Sequence, residues 1–130
     1  MKHSISLCSG FSFSLTSIVY LLGGIDIALK SLLLVMILDY ITGVISAIYN
    51  KKLNSKVGLK GILKKVFYLL IVALSVILDN IMGDTGAIRT LVIYFFVAND
   101  GISILENASE MNIPLPKKLI ETLEQLKGED

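Results

Sequence analysis

Asp39, Asp79 and Asp100 stand inside long apolar runs, and of all the residues in this chain they have the most to explain. An ionised carboxylate at mid-bilayer costs roughly 2.5 to 3.5 kcal/mol even on the lenient insertion scale, so each must be neutralised, partnered or hydrated. Catalysis is not the reason. His3 is the only histidine and Cys8 the only cysteine, so the serines have no base, no Cys/His metal site can be assembled and no intrachain disulfide can form. The three carboxylates fall on different apolar segments with no nucleophile or metal ligand beside them, and the expectation is a non-enzymatic protein with no cofactor and no metal. Gly58 and Gly61 do not make a phosphate loop, because no Gly-Lys-Ser/Thr follows them.

The polar residues around these acids are spaced like one side of a helix. Asp39, Thr42, Gly43, Ser46, Ala47 and Asn50 follow i, i+3, i+4, i+7, i+8 and i+11, which puts them on one stripe that should face protein or water. Ser75 and Asp79 form a shorter stripe, and Asn99, Ser103, Glu106 and Asn107 a third, with Asp100 beside it. Arg89 is the only base within these apolar segments and lies near one end, so a single copy offers the acids no obvious cation. They are either protonated or line a hydrated space that forms when several copies associate. The competing reading is intramolecular: small and polar residues let the helices of one copy pack closely, with Gly43 and Ala47 as a small-xxx-small contact.

The elements that carry these stripes are membrane spans. Apolar residues make up 54% of the chain and are gathered into blocks, whereas a soluble amphipathic helix would scatter them every three or four positions. Spans are expected at residues 11–25, 31–49, 66–82 and 87–105. The segment 31–49 covers roughly the 30 Å hydrocarbon thickness. The segment 11–25 is short and rich in Ser and Thr, so three spans remain an alternative to four. No small-x-small site follows it, which favours a retained span over a cleaved signal peptide. The turn from Gly83 to Gly86 predicts a helical hairpin. Pro114 and Pro116 end the last span's helix, and a new amphipathic one is expected from Pro116, with Leu119, Ile120, Leu123 and Leu126 on one face and Lys117 paired to Glu121 on another. The fold class is all-α: a polytopic membrane protein with four, alternatively three, transmembrane helices and a short cytoplasmic C-terminal helix in the tail 106–130, the whole of 1–130 forming one domain.

Charge sets the orientation. The formal net charge is +1, which does not suggest a nucleic-acid partner, yet the segment 50–65 holds Lys51, Lys52, Lys56, Lys60, Lys64 and Lys65 and no acid. By the positive-inside rule this loop is cytoplasmic, and threading four spans through it puts the C-terminus on the same side. Its lysines are read as topology anchors against anionic headgroups, at about 1 kcal/mol each, ahead of any role in binding a ligand.

These strings are also familiar as a set. Asp39-Tyr40-Ile41-Thr42-Gly43, Ala47, Lys52-Leu53-Asn54-Ser55-Lys56, the run from Gly58 to Lys65, Asp79, the run from Ala98 to Asn107, and Ile113-Pro114-Leu115-Pro116-Lys117-Lys118-Leu119 together resemble the phage-lysis and toxin-secretion holin family. The likeness covers nearly everything after Ile25. One departure is Asp100, where the family more often has glutamate; the acid is kept. The resemblance implies a protein that accumulates in the bacterial cytoplasmic membrane and oligomerises into holes. An endolysin or a large toxin then escapes without necessary direct contact. On that view Asp39, Thr42, Gly43, Ser46 and Ala47 form the main association face, and Ser75, Asp79, Asn99, Asp100 and Ser103 add to it or to the lumen. Two other classes compete: a small multidrug-type transporter, whose essential acid would be expected in the first span where this chain has none, and a non-porating membrane adaptor.

Overall fold

The computed structural model describes residues 1–128; the last two positions of the expected tail, 129–130, lie outside the described residues. Five helices follow one another: α1 (Lys2–Leu21), α2 (Ile27–Tyr49), α3 (Ser55–Ile81), α4 (Ala87–Glu110) and α5 (Lys117–Lys127). The first four are long and apolar enough to cross a membrane, which favours four spans over three by length and composition.

Local chemistry explains where these helices depart from the expected boundaries. α1 begins at Lys2, well before residue 11, although its start is rich in serine. The hydroxyls of Ser4, Ser9, Thr16 and Ser17 donate to carbonyls three or four residues back, so a polar sequence satisfies itself within the helix. α1 stops at Gly23 and Gly24, both at positive φ, and Asp26 then caps α2 by accepting from the Leu29 amide at 2.9 Å. The expected basic loop 50–65 shrinks to residues 50–54, because Asn54 accepts from the Lys56 amide and starts α3 there. Lys56, Lys60, Lys64 and Lys65 are therefore helical. α4 continues past residue 105 to Glu110.

Packing is organised around α4, which lies against α2, α3 and α5, whereas α2 and α3 touch each other sparingly. Leu29 and Leu32 of α2, Val72 of α3 and Ile93 of α4 are fully buried where the three meet, and Tyr68 stacks on Phe96 with ring centroids 4.1 Å apart. α1 buries none of its residues; Leu22, just beyond it, is its link to the core. Outward-facing Leu34, Ile37, Phe67, Leu70, Leu74 and Leu91 are exposed, as the lipid-facing side of a spanning bundle requires.

Candidate functional site

Two clusters of polar side chains sit at opposite ends of the α2, α3 and α4 bundle. At the Arg89 end, Asp79 of α3 reaches across the hairpin turn, and its two carboxylate oxygens accept from the Ile88 and Arg89 amides, each at 2.9 Å. It thereby satisfies two of the donors that the first turn of α4 leaves open, next to the positive end of that helix's dipole. Arg89 is itself buried, and its guanidinium makes four hydrogen bonds. Its Nε donates to the Leu22 carbonyl at 2.7 Å and its Nη2 to the Gly24 carbonyl at 3.0 Å. The guanidinium also meets both oxygens of Asp26, at 2.6 and 3.2 Å. Gly23 is required here, since a Cβ in its place would lie 2.6 Å from Arg89 Nε. The guanidinium hydrogen bond holds the Asp26 carboxyl below its ordinary value of 3.8, against a smaller opposing effect of burial.

At the lysine end the chemistry is more open. Lys65 Nζ lies 2.6 Å from Asp39 Oδ2 and 3.1 Å from Asp100 Oδ2, so one ammonium from α3 bridges carboxylates of α2 and α4. Asn107 donates to the Thr42 hydroxyl at 2.9 Å, and the Ser46 hydroxyl donates to Glu110 at 2.6 Å. Asn50 donates to the Ser46 carbonyl at 3.0 Å, and Asn99 to the Tyr68 hydroxyl at 2.7 Å. Among the described residues no buried side-chain nitrogen or oxygen lacks a partner.

Because α2 and α3 stay apart here, a cavity of about 640 Å³ opens between them with α4 as its floor. Asp39, Gly43, Ser46, Ala47, Asn99, Asp100 and Ser103 all line it, as do Lys52, Lys64 and Lys65. Thr42 joins the same network through Asn107. Lys51, Lys56 and Lys60 are exposed and do not line it. Ser75 lies elsewhere in the bundle, turned back onto the Val72 carbonyl of its own helix, and Asp79 belongs to the other cluster.

The expectation that the acids find no cation within one chain is thus corrected. Lys65, read as a boundary anchor because it closes a basic run, partners two of them, and the α4 amides hold the third. Sequence reasoning missed Asp26, Tyr68 and Glu110. Asp26 lies 63 positions from Arg89, and no local spacing signals that pair. Glu110 is different: it continues the spacing of Asn99, Ser103 and Asn107 and could have been added to their stripe.

Between the clusters the bundle interior is apolar. Tyr68 and Phe96 lie one turn from Lys65 and Asp100 on the Arg89 side, followed by Leu32, Val72 and Ile93, all buried in one apolar cluster. The cavity therefore ends blindly on an apolar layer.

Comparison with known proteins places these features in a wider set. The sequence model of the bacteriophage holin family matches residues 16–128. An uncharacterised 14.9 kDa protein from the nagH 3' region of Clostridium perfringens is 42% identical over 114 residues, covering 87% of this chain and 86% of that one. An uncharacterised protein of Listeria monocytogenes is 40% identical over 114 residues, 85% of this chain and 81% of its own. The uncharacterised protein YqxH of Bacillus subtilis is 32% identical over 111 residues, 85% of this chain and 79% of its own. No solved structure matches.

Proposed function

The chain belongs to the bacteriophage holin family, and on that premise we propose that it oligomerises in the bacterial cytoplasmic membrane into holes through which wall hydrolases leave during host lysis or large toxins are exported. The observation that carries this reading is the apolar layer under the cavity. With Leu32, Val72 and Ile93 fully buried and Tyr68 stacked on Phe96, one copy has no continuous polar path from end to end, so a passage has to form between copies. The long exposed apolar faces of α1 to α4 let single copies lie dispersed in lipid until then.

The lysine end is cytoplasmic in this arrangement, with the C-terminus beside it, as the basic segment favours. The chain works without enzymatic chemistry. Its partners are further copies of itself and a bilayer with anionic headgroups, and an endolysin or toxin is coupled through the hole with no direct contact. On association the cavity-lining face, Asp39, Gly43, Ser46, Ala47, Asn99, Asp100 and Ser103, turns toward a shared lumen, and Lys65 bridges the two acids until water replaces it as their partner.

Induced expression in a bacterium tests the reading. Abrupt growth arrest with dye entry is the expected result; drug resistance without dye entry would point to a transporter, and neither effect to an adaptor. Asp39→Leu expressed beside wild type should shift the time at which membrane potential collapses. Unchanged timing removes Asp39 from the mechanism.

A further inference from the structure

α5 docks on the side of α4 that faces away from α2 and α3. Asp100, Ser103 and Asn107 point into the cavity or toward α2, while Gly101 lies on the other flank, where helical spacing groups it with Ala98, Leu105 and Ala108. Leu123 of α5 sits against this glycine so closely that a Cβ at Gly101 would come within 2.8 Å of Leu123 Cδ2 and 3.3 Å of Cδ1. A glycine inside an exposed helix is normally a loss, so its place here is explained by the approach of α5.

The docking is shallow, however. α5 has no fully buried residue, and Leu119 and Leu126 keep 44% and 46% of their surface. The connector of residues 111–116 contains Asn112 in the left-handed region at φ 61, then Pro114 and Pro116, which cannot be absorbed into a continuous helix with α4. Fully extended, six residues reach about 20 Å, and packed helices lie about 8 to 10 Å apart, so the connector can deliver α5 to its own α4 or to that of an adjacent copy. The Gly101 flank is free of α2 and α3, so a neighbour can reach it once the chain's own α5 leaves. A neighbour's flank is chemically identical, and the contact forms in trans without any new surface.

We propose that α5 exchanges between neighbouring copies, Leu123 of one chain seating on Gly101 of the next; the inference rests on the reading that copies assemble. Passed head to tail, the exchange leaves every copy donating one α5 and accepting another, so the series can lengthen and close into a ring of variable size.

The test uses full-length chains in a Cys8→Ser background, one carrying Gly101→Cys and the other Leu123→Cys, expressed together and oxidised in the membrane. A disulfide-linked dimer that appears in the mixture, disappears with reductant and forms from neither chain alone is the expected result. A dimer from Gly101→Cys alone would mean that α4 meets α4 and would overturn the exchange; absence of a dimer in the mixture would overturn it too. The readout is a gel band and does not depend on permeability. A mixed dimer without dye entry therefore sinks the hole-forming reading and leaves the exchange, and dye entry without a mixed dimer does the reverse.

Because Leu123 must shift to admit a side chain at position 101, a second pair guards against a misfolded variant. Gly101→Leu blocks the acceptor and Leu123→Asp spoils the donor, so each alone should yield roughly tenfold fewer chemically cross-linked multimers, about what loss of one seated leucine commands. Expressed together they should give mixed cross-linked dimers, since the intact α5 of one fits the intact flank of the other, and the series should stop at two because the remaining donor and acceptor are both spoiled. Mixed dimers no more abundant than the dimers either chain gives alone would overturn the proposal.

Discussion

The two ends of the bundle handle a buried cation in opposite ways. Arg89 is held by two backbone carbonyls just past α1 and the bidentate carboxylate of Asp26, at a helix start already tied by Asp79. Lys65 is shared by two carboxylates on different helices, beside a cavity, where α2 and α3 are hardly in contact. A planar guanidinium with fixed acceptors defines one geometry, while an ammonium on a flexible stem between two acids can give one up and keep the other. The bundle therefore has a tightly tied end and a looser one, and most of the site expected from sequence lies at the second, with Asp79 at the first and Ser75 elsewhere.

Removing the shared cation should produce the largest break in this contrast. Lys65→Met leaves Asp39 and Asp100 without the cation they share, at a cost of about 3 to 5 kcal/mol, and should abolish accumulation of folded protein in the membrane. Adding Asp39→Asn and Asp100→Asn should restore it, as followed by membrane yield and protease resistance.

At the other end, Arg89→Lys keeps the charge and loses the fork. An expected loss of about 2 kcal/mol, read as a lowered unfolding midpoint in detergent, should come with proteolytic access to residues 22–26 while the cavity residues stay protected. Equal loosening at both ends would erase the distinction between them.

The smallest effect is a titration. Since folding lowers the Asp26 carboxyl, its contribution to stability is fully present above the ordinary value of 3.8 and is lost as pH falls through the lowered one. The difference in unfolding midpoint between wild type and Asp26→Asn should be constant from pH 7 to about 5 and shrink only below about 4. Asp26 is half-exposed, so the shift is expected to be small.

Much of this was written in the sequence, for identifiable reasons. Apolar blocks located the spans while leaving their number at four or three, and helical spacing put Asp39, Gly43, Ser46 and Ala47 on one face, because both signals are local. Helix starts were harder to read. Asn54 is hidden within a lysine-rich run that reads as loop, and the serine-rich start of α1 looks too polar for a span until its hydroxyls are seen to bond back to its own carbonyls. Partner choice was not legible at all: Lys65 looked like an anchor because it stands at the edge of an apolar run, and its bonds to Asp39 and Asp100 depend on how three helices meet. The seat of α5 had one available clue, a glycine in the middle of α4, but the proline connector left its direction open.

The Asp79 carboxylate bears on how the protein is made. Its acceptors are filled by amides that belong to the following helix, so α3 delivered alone would enter the bilayer with a bare acid near its far end, and α4 alone with open donors at its start. Each removes the other's liability. The two helices are therefore matched to lipid as a hairpin, and neither is so by itself.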